Sequence, residues 1–174
     1  MKAFTITAVG GDRPGIVAGF TRVLLDLGCN LADCTMSRLA DQFAMILLIE
    51  APDRLAPARL ESALAEPMSR FGLVATMKEL SGGTGPEPAE PYVVSAYGKD
   101  RPGIVHALAA ALAERGVNIV DLRSHLAGED LYALILDIAV PPATDVARLE
   151  AGLGEVAAGL GVSLTLRSAE AAEL

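Results

Sequence analysis

Tryptophan is absent from this chain, and three tyrosines and four phenylalanines are its only aromatic residues, although 52% of its 174 residues are hydrophobic. A core must therefore be aliphatic, built from Leu, Val, Ile and Ala. Cations are scarce as well: 14 Lys and Arg face 22 Asp and Glu, the formal net charge is −8, and no basic run occurs. Nucleic-acid binding depends on Lys and Arg displacing counterions from phosphates, so direct nucleic-acid contact is excluded unless a partner supplies it. The two cysteines, Cys29 and Cys34, fit neither a CxxC motif nor a disulfide framework. They are expected to be buried small hydrophobes in a reducing compartment. No apolar run reaches membrane-spanning length, and Met1 to Phe4 lead into alternating residues rather than a signal peptide. The expectation is a cytoplasmic protein with no membrane contact. Two histidines and these cysteines make a poor metal inventory. There is no HExxH, phosphate loop, dinucleotide fingerprint or nucleophile elbow. The many carboxylates read as solvated helix faces and linker. No enzyme activity, cofactor or metal is expected.

What is present is a repeat. Asp12-Arg13-Pro14-Gly15-Ile16-Val17 recurs unchanged as Asp100-Arg101-Pro102-Gly103-Ile104-Val105, at an offset of 88. The register continues through Gly28 and Gly116, Asn30 and Asn118, and Asp33 and Asp121. After one net insertion Phe43 matches Tyr132, Pro52 matches Pro141 and Gly72 matches Gly161. Residues 81–91, rich in Gly and Pro, read as a linker between a first domain at 1–80 and a second at 92–169, with a tail at 170–174.

Each half reads as the same element order. Phe4, Ile6 and Ala8 alternate with Thr5 and Thr7, which predicts a strand over 2–9, with a counterpart over 92–98. Ile16, Val17, Phe20, Val23, Leu24 and Leu27 have helical spacing, and Gly28 ends that helix; Ile104, Val105, Leu108 and Leu112 repeat the stripe up to Gly116. Strands are predicted over 30–39 and 42–51, and over 118–127 and 131–140. Phe43, Met45, Leu47 and Ile49 face inward, while Ile46 and Leu48 give the opposite face an apolar share. That face is either a packing surface or ordinary surface hydrophobicity. The inserted residue is placed in the turn holding Gly128, Glu129 and Asp130, against Asp41 and Gln42 in the first half. Helices over 55–70 and 144–160 and strands over 73–80 and 162–167 complete each half. The fold class is α+β: two ferredoxin-like βαββαβ domains, each a four-stranded antiparallel sheet with two helices on one face.

The repeated Asp-Arg-Pro-Gly stands where strand gives way to helix. Proline suits a first helical turn, and Asp12 and Asp100 are candidates to cap or favour its positive end. Gly10, Gly11 and Gly98 would allow a tight, open turn, and Gly15 and Gly103 would let something approach the backbone. One reading is simply a well-made strand-to-helix turn. The other is anion capture, because the free N–H groups of a helix start suit a carboxylate. The ammonium of an amino acid needs an acceptor too, which Asn30 or Asn118 would provide, unless each serves only as turn chemistry after glycine.

These features resemble the ACT domain family: strand, Gly-Gly-Asp-Arg-Pro-Gly-Ile-Val, helix and Gly-Cys-Asn-Leu, then again Gly-Lys-Asp-Arg-Pro-Gly-Ile-Val, helix and Gly-Val-Asn-Ile. The resemblance covers nearly all the chain outside linker and tail. With two such domains and nothing else, the chain is similar to the glycine cleavage system transcriptional repressor group. That likeness implies a sensor of a small amino acid at inter-domain or inter-subunit interfaces, acting on transcription through a protein partner and compatible with a homodimer. The alternatives are a stand-alone regulatory subunit of an amino-acid or folate-linked metabolic enzyme, and a scaffold without a ligand. Carried over, the ligand sites are Gly10, Gly11, Asp12, Arg13, Pro14, Gly15 and Ile16 with Asn30, and Gly98, Lys99, Asp100, Arg101, Pro102, Gly103 and Ile104 with Asn118. The halves differ: Ala18 stands against His106, and Gly11 against Lys99, so the sites need not be equivalent. His106 reads as pocket-facing or as a surface residue, and His125 lies on a strand. Filling the backbone approach with Gly103→Val is expected to weaken binding without unfolding the protein.

Overall fold

A computed structural model describes residues 1–80, 88–127 and 131–169. Most of the expected linker, the tail at 170–174 and the turn at Gly128, Glu129 and Asp130 lie outside the described residues. The chain divides into two compact units, one within residues 1–83 and one within 84–174. The first contains β1 (Lys2–Gly11), α1 (Ile16–Asp26), β2 (Asn30–Leu39), β3 (Gln42–Ala51), α2 (Pro57–Phe71) and β4 (Val74–Leu80). The second contains β5 (Glu90–Lys99), α3 (Ile104–Ala113), β6 (Asn118–Ala127), β7 (Leu131–Val140), α4 (Val146–Leu160) and β8 (Val162–Ser168). Each unit is a four-stranded antiparallel sheet, ordered β2-β3-β1-β4 or β6-β7-β5-β8. The βαββαβ order read from the sequence is present twice.

The periodicities explain the layers. In the first unit Phe4, Ile6 and Ala8 of β1 and Phe43, Met45, Leu47 and Ile49 of β3 share one sheet face and are buried beneath Ile16, Phe20 and Leu24 of α1 and Leu60 and Leu64 of α2. The second unit buries Val94, Ala96, Leu134, Leu136 and Ile138 under Leu108, Leu112, Leu149 and Leu153. No polar side chain is buried among the described residues, so each core is held by apolar burial, about 1.5–3 kcal/mol for each fully buried large side chain; the second is aliphatic, whereas the first also buries all four phenylalanines.

The boundaries differ from expectation where turns intervene. A turn in which Leu55 N–H donates to Pro52 O delays α2 to Pro57, and one from Thr144 to Pro141 delays α4 to Val146, where Asp145 accepts from the Arg148 amide. β5 begins at Glu90, inside the stretch expected as linker. There Pro91 is opposite Ala139 of β7 and precedes the first pairing with β8, so its missing N–H costs no ladder bond on that side.

Cys34 is exposed, not buried, because β2 is an edge strand that the helices do not cover; Cys29 is half-buried, and burial pushes its thiol pKa up. The outer sheet face is partly apolar, with Ile46 47% and Ile135 39% exposed. In the second unit it also carries Arg123, whose Nη2 is 2.6 Å from Asp137 and whose Nε is 3.0 Å from Asp121. These two carboxylates, Asp137 foremost, raise the guanidinium pKa further.

Gly10, Gly11 and Gly98 are strand residues rather than an open turn, paired with Phe43, Gln42 and Tyr132. Gly10 and Gly98 are packing glycines: a Cβ would come 2.6 Å from Leu73 Cδ2 at the first and 2.7 Å from Val162 Cγ1 at the second. Gly98 is also hemmed in by backbone, with Val162 Cα at 3.0 Å and Gly161 O at 3.1 Å from that position. Gly98→Ala is therefore expected to destabilise the second unit by about 1–3 kcal/mol, read as an earlier melting transition, while the first unit's transition stays in place.

Candidate functional site

The candidate site is built by a reversal of chain direction at one end of each sheet. β1 ends at Gly11 opposite Gln42, and the Asp12 amide donates to Asp41 O at 2.9 Å, tying the outgoing chain to the β2–β3 hairpin. Gly15, at φ 95°, then turns the chain into α1, and Gly103, at φ 99°, does the same for α3. Both are the cap residues of their helices. Their carbonyls accept from Gly19 N–H at 2.8 Å and from Ala107 N–H at 2.9 Å.

This geometry corrects two expectations. Asp12 and Asp100 do not cap, since neither helix has a side-chain cap, and Pro14 and Pro102 precede the cap residue instead of occupying the first turn. The consequence is an uncapped tip. The first-turn amides of Ile16, Val17 and Ala18, and of Ile104, Val105 and His106, receive no side-chain acceptor at the cap. Such amides carry the partial positive charge of the helix start. Residues 12–15 and 100–103 are exposed, while Ile16 and Ile104 anchor each tip in its core. A Cβ at Gly103 would meet nothing within 4 Å, and one at Gly15 would meet only the Phe71 ring, at 3.5 Å. Neither tip is sealed by the protein's own side chains at its glycine.

The tips are not alike. In the first unit Asp12 lies 3.7 Å from Arg38 Nη1. The residue in the same register of β6 is Leu126, opposite Tyr132 as Arg38 is opposite Phe43, and Asp100 has no ion-pair partner among the described residues. Lys99, exposed at the end of β5, replaces Gly11. The Arg101 guanidinium reaches the C-terminal end of α4, where a Cβ on Gly161 would come 3.7 Å from Nη1; a Cβ on Gly72 in the first unit would meet nothing within 4 Å, so Arg13 makes no such approach. His106 is an exposed residue of the first turn of α3. His125 is exposed on β6. In the first unit a hollow of about 450 Å3 runs from Pro14 and Gly15 between α1 and α2 past Arg22 and Phe71. Arg22 there is paired with Asp26 at 3.1 Å, and Arg70 lies 5.2 Å over the Phe71 ring.

Asn30 and Asn118 are not brought to their tips. Asn30 opens β2 opposite Glu50, whereas Gly11 is opposite Gln42, eight positions along β3; at the strand rise this is roughly 27 Å. Asn118, opposite Ala139, is as far from Lys99, opposite Leu131. A small ligand at a tip cannot touch the asparagine of the same unit. The groups that do reach the tip, Arg38 and Asp41, were missed by sequence reasoning. The signal for them was topological: β2 runs parallel to β1, so its end, not its beginning, returns to the loop.

A model of the ACT domain matches residues 2–78 and 90–167. The glycine cleavage system transcriptional repressor of Escherichia coli (strain K12) is 29% identical over 150 residues, covering 83% of this chain and 78% of that protein. The crystal structure of an unknown protein from Galdieria sulphuraria aligns with a TM-score of 0.81 at 28% identity, over 96% of this chain and 98% of that one. A putative glycine cleavage system transcriptional repressor aligns with a TM-score of 0.71 at 22% identity, over the same shares, a likeness of fold.

The left-handed backbone at Gly103 adds a stability cost to the valine substitution that was expected to weaken binding without unfolding the protein. A β-branched residue is an outlier at such φ, and a strained site of this kind costs about 1–3 kcal/mol. Gly103→Val is expected to lower the stability of the second unit by that amount in urea unfolding, before any ligand is added.

Proposed function

The chain belongs to the ACT domain family, and from that premise we propose that it is an amino-acid-sensing regulatory protein that controls transcription through a protein partner in the cytoplasm. The observation that carries the reading is the doubled uncapped helix tip. A zwitterion offers it two complementary ends. Its carboxylate takes the first-turn amides of Ile104, Val105 and His106, as anions do at helix starts, and its ammonium takes the Asp100 carboxylate, which has the right charge and sits at the same turn. The second unit is the principal site, because in the first Arg38 competes for Asp12. The reading rests on Asp12 and Asp100 as ammonium acceptors, in place of Asn30 and Asn118.

Transcription is proposed from the resemblance to the E. coli repressor. The partner follows from charge: a chain of net charge −8 repels the phosphate backbone, so a DNA-binding protein has to make that contact. The ligand's differential affinity for one conformation of the chain would shift the population, and the partner would respond to the shift.

Calorimetric titration of the full chain with glycine, serine and the branched amino acids tests this. One of them is expected to bind saturably. Asp100→Asn is expected to weaken it about tenfold, the worth of a charge-assisted hydrogen bond, and Arg38→Ala is expected to strengthen binding at the first tip. Absence of binding by every amino acid would overturn the sensor reading. Co-purification of a metabolic enzyme in place of a DNA-binding regulator would overturn the transcriptional one.

A further inference from the structure

We infer that the first unit carries a second ligand site, separate from the helix tips: an apolar pocket between α2 and β4 that takes a small aliphatic amine. The pocket has a volume of about 410 Å3, with Ile6 at its floor, Leu64, Met68, Ala75 and Met77 on its walls, and Glu61 among its lining residues.

The internal repeat supplies the control. Ala75 is opposite Ala8 and Met77 opposite Ile6. At the same two positions of the second unit, Leu164 is opposite Ala96 and Leu166 opposite Val94, and both leucines pack onto that unit's core. The second unit thus has leucine where the first has Ala75, while on the facing helix it has Ala157 where the first has Met68. Native interiors hold few voids larger than a water molecule, whereas ligand pockets fall at roughly 300–1,000 Å3 and are mainly apolar with a few polar groups. The opening belongs to the second class by size and by lining. Two of its walls are methionines, unbranched and adaptable side chains that suit a ligand of variable shape.

The charge of the ligand follows from the mouth. Glu61 is the one charged residue of the lining. It is exposed on α2 and has no ion-pair partner among the described residues. β4 is one of the two edge strands of its sheet, so alternate backbone carbonyls along it have no partner within that sheet. A carboxylate and such carbonyls at the rim of an aliphatic hollow match an ammonium on an alkyl chain and repel a fatty carboxylate. The net charge of −8 favours a cation in the same sense. This site does not depend on the helix-tip reading, which concerns zwitterions at the other end of the chemistry.

The test is methyl NMR on the full chain with labelled methionines. All five methionines, Met1, Met36, Met45, Met68 and Met77, lie in the first unit. Titration with n-pentylamine is expected to shift Met68 and Met77 saturably and leave Met36, exposed on β2, unmoved. n-Pentanol is expected to bind more weakly, and pentanoate weakest of the three. Ala75→Leu, which installs the second unit's residue, is expected to abolish the shifts, with an unchanged Met36 signal and a cooperative melting transition reporting an intact fold. Glu61→Gln, a surface substitution that leaves the core untouched, is expected to weaken the amine roughly threefold without affecting the alcohol. Pentanoate binding as tightly as the amine, an Ala75→Leu protein that still binds, or shifts that bypass Met68 and Met77 would each overturn the proposal. So would the absence of any shift.

Discussion

The left-handed glycine between strand and helix is the constraint on which each unit depends. β1 delivers the chain at one end of the sheet, and α1 must start there and run back across the buried face. Gly15 and Gly103 make that reversal at φ 95° and 99°, a region that costs any other residue steric strain. Because the reversal is made by the backbone, no side chain needs to cap the helix, and none does. The same turn seats Ile16 and Ile104 in the core and leaves the amides behind them open. Core anchorage and the open amides thus come from one local conformation. This accounts for the identity of the glycine and of the isoleucine after it in the two halves.

Much of this was legible in the sequence because it is written in periodicity. The alternation Phe4, Ile6, Ala8 and the spacing Ile16, Phe20, Leu24 report only which face is buried, and burial follows them residue by residue. What was not legible depends on topology or on the third dimension. Asn30 is near Gly28 in sequence, but α1 carries the chain to the far end of the sheet before β2 begins, so Asn30 starts at the end away from the motif. Gly98 reads as turn chemistry in one dimension; in three it clears the way for Val162, more than sixty residues later. Cys34 has the composition of a core residue, but edge position decided its exposure.

The duplication sets what the two units share beside what each has of its own. Positions held identical in both halves include those that serve the shared fold: the glycine reversal, the proline before it and the aspartate beside each bulge. Positions that differ mark divergence on a common scaffold. Arg38 against Leu126 changes the charge beside the motif aspartate. Leu27 against Arg115 changes the end of the first helix: Arg115 Nη1 donates to Ala111 O at 2.7 Å, and its guanidinium lies over Gly152. One arginine thus lies across α3 and α4 in the second unit. The two units are thus alike in backbone and unlike in what their surfaces offer.

Edge strands set the remaining demand on this design. β2 exposes all ten of its residues, Leu31, Met36 and Leu39 among them, and an unpaired edge of that kind invites another strand. Both units answer in the same way. The register shifts between Leu31 and Asp33, and between Ile119 and Asp121, so an extra residue bends the edge and breaks the regular run of donors and acceptors. The aspartate placed after each bulge then adds a charge where an incoming strand would lie; Asp33 also accepts from its neighbour's amide at 2.7 Å, holding the distortion in place. A flat apolar edge would pair with any extended chain. Here the bulge blunts only the start of the edge, because the register with β3 is unbroken from Asp33 to Leu39.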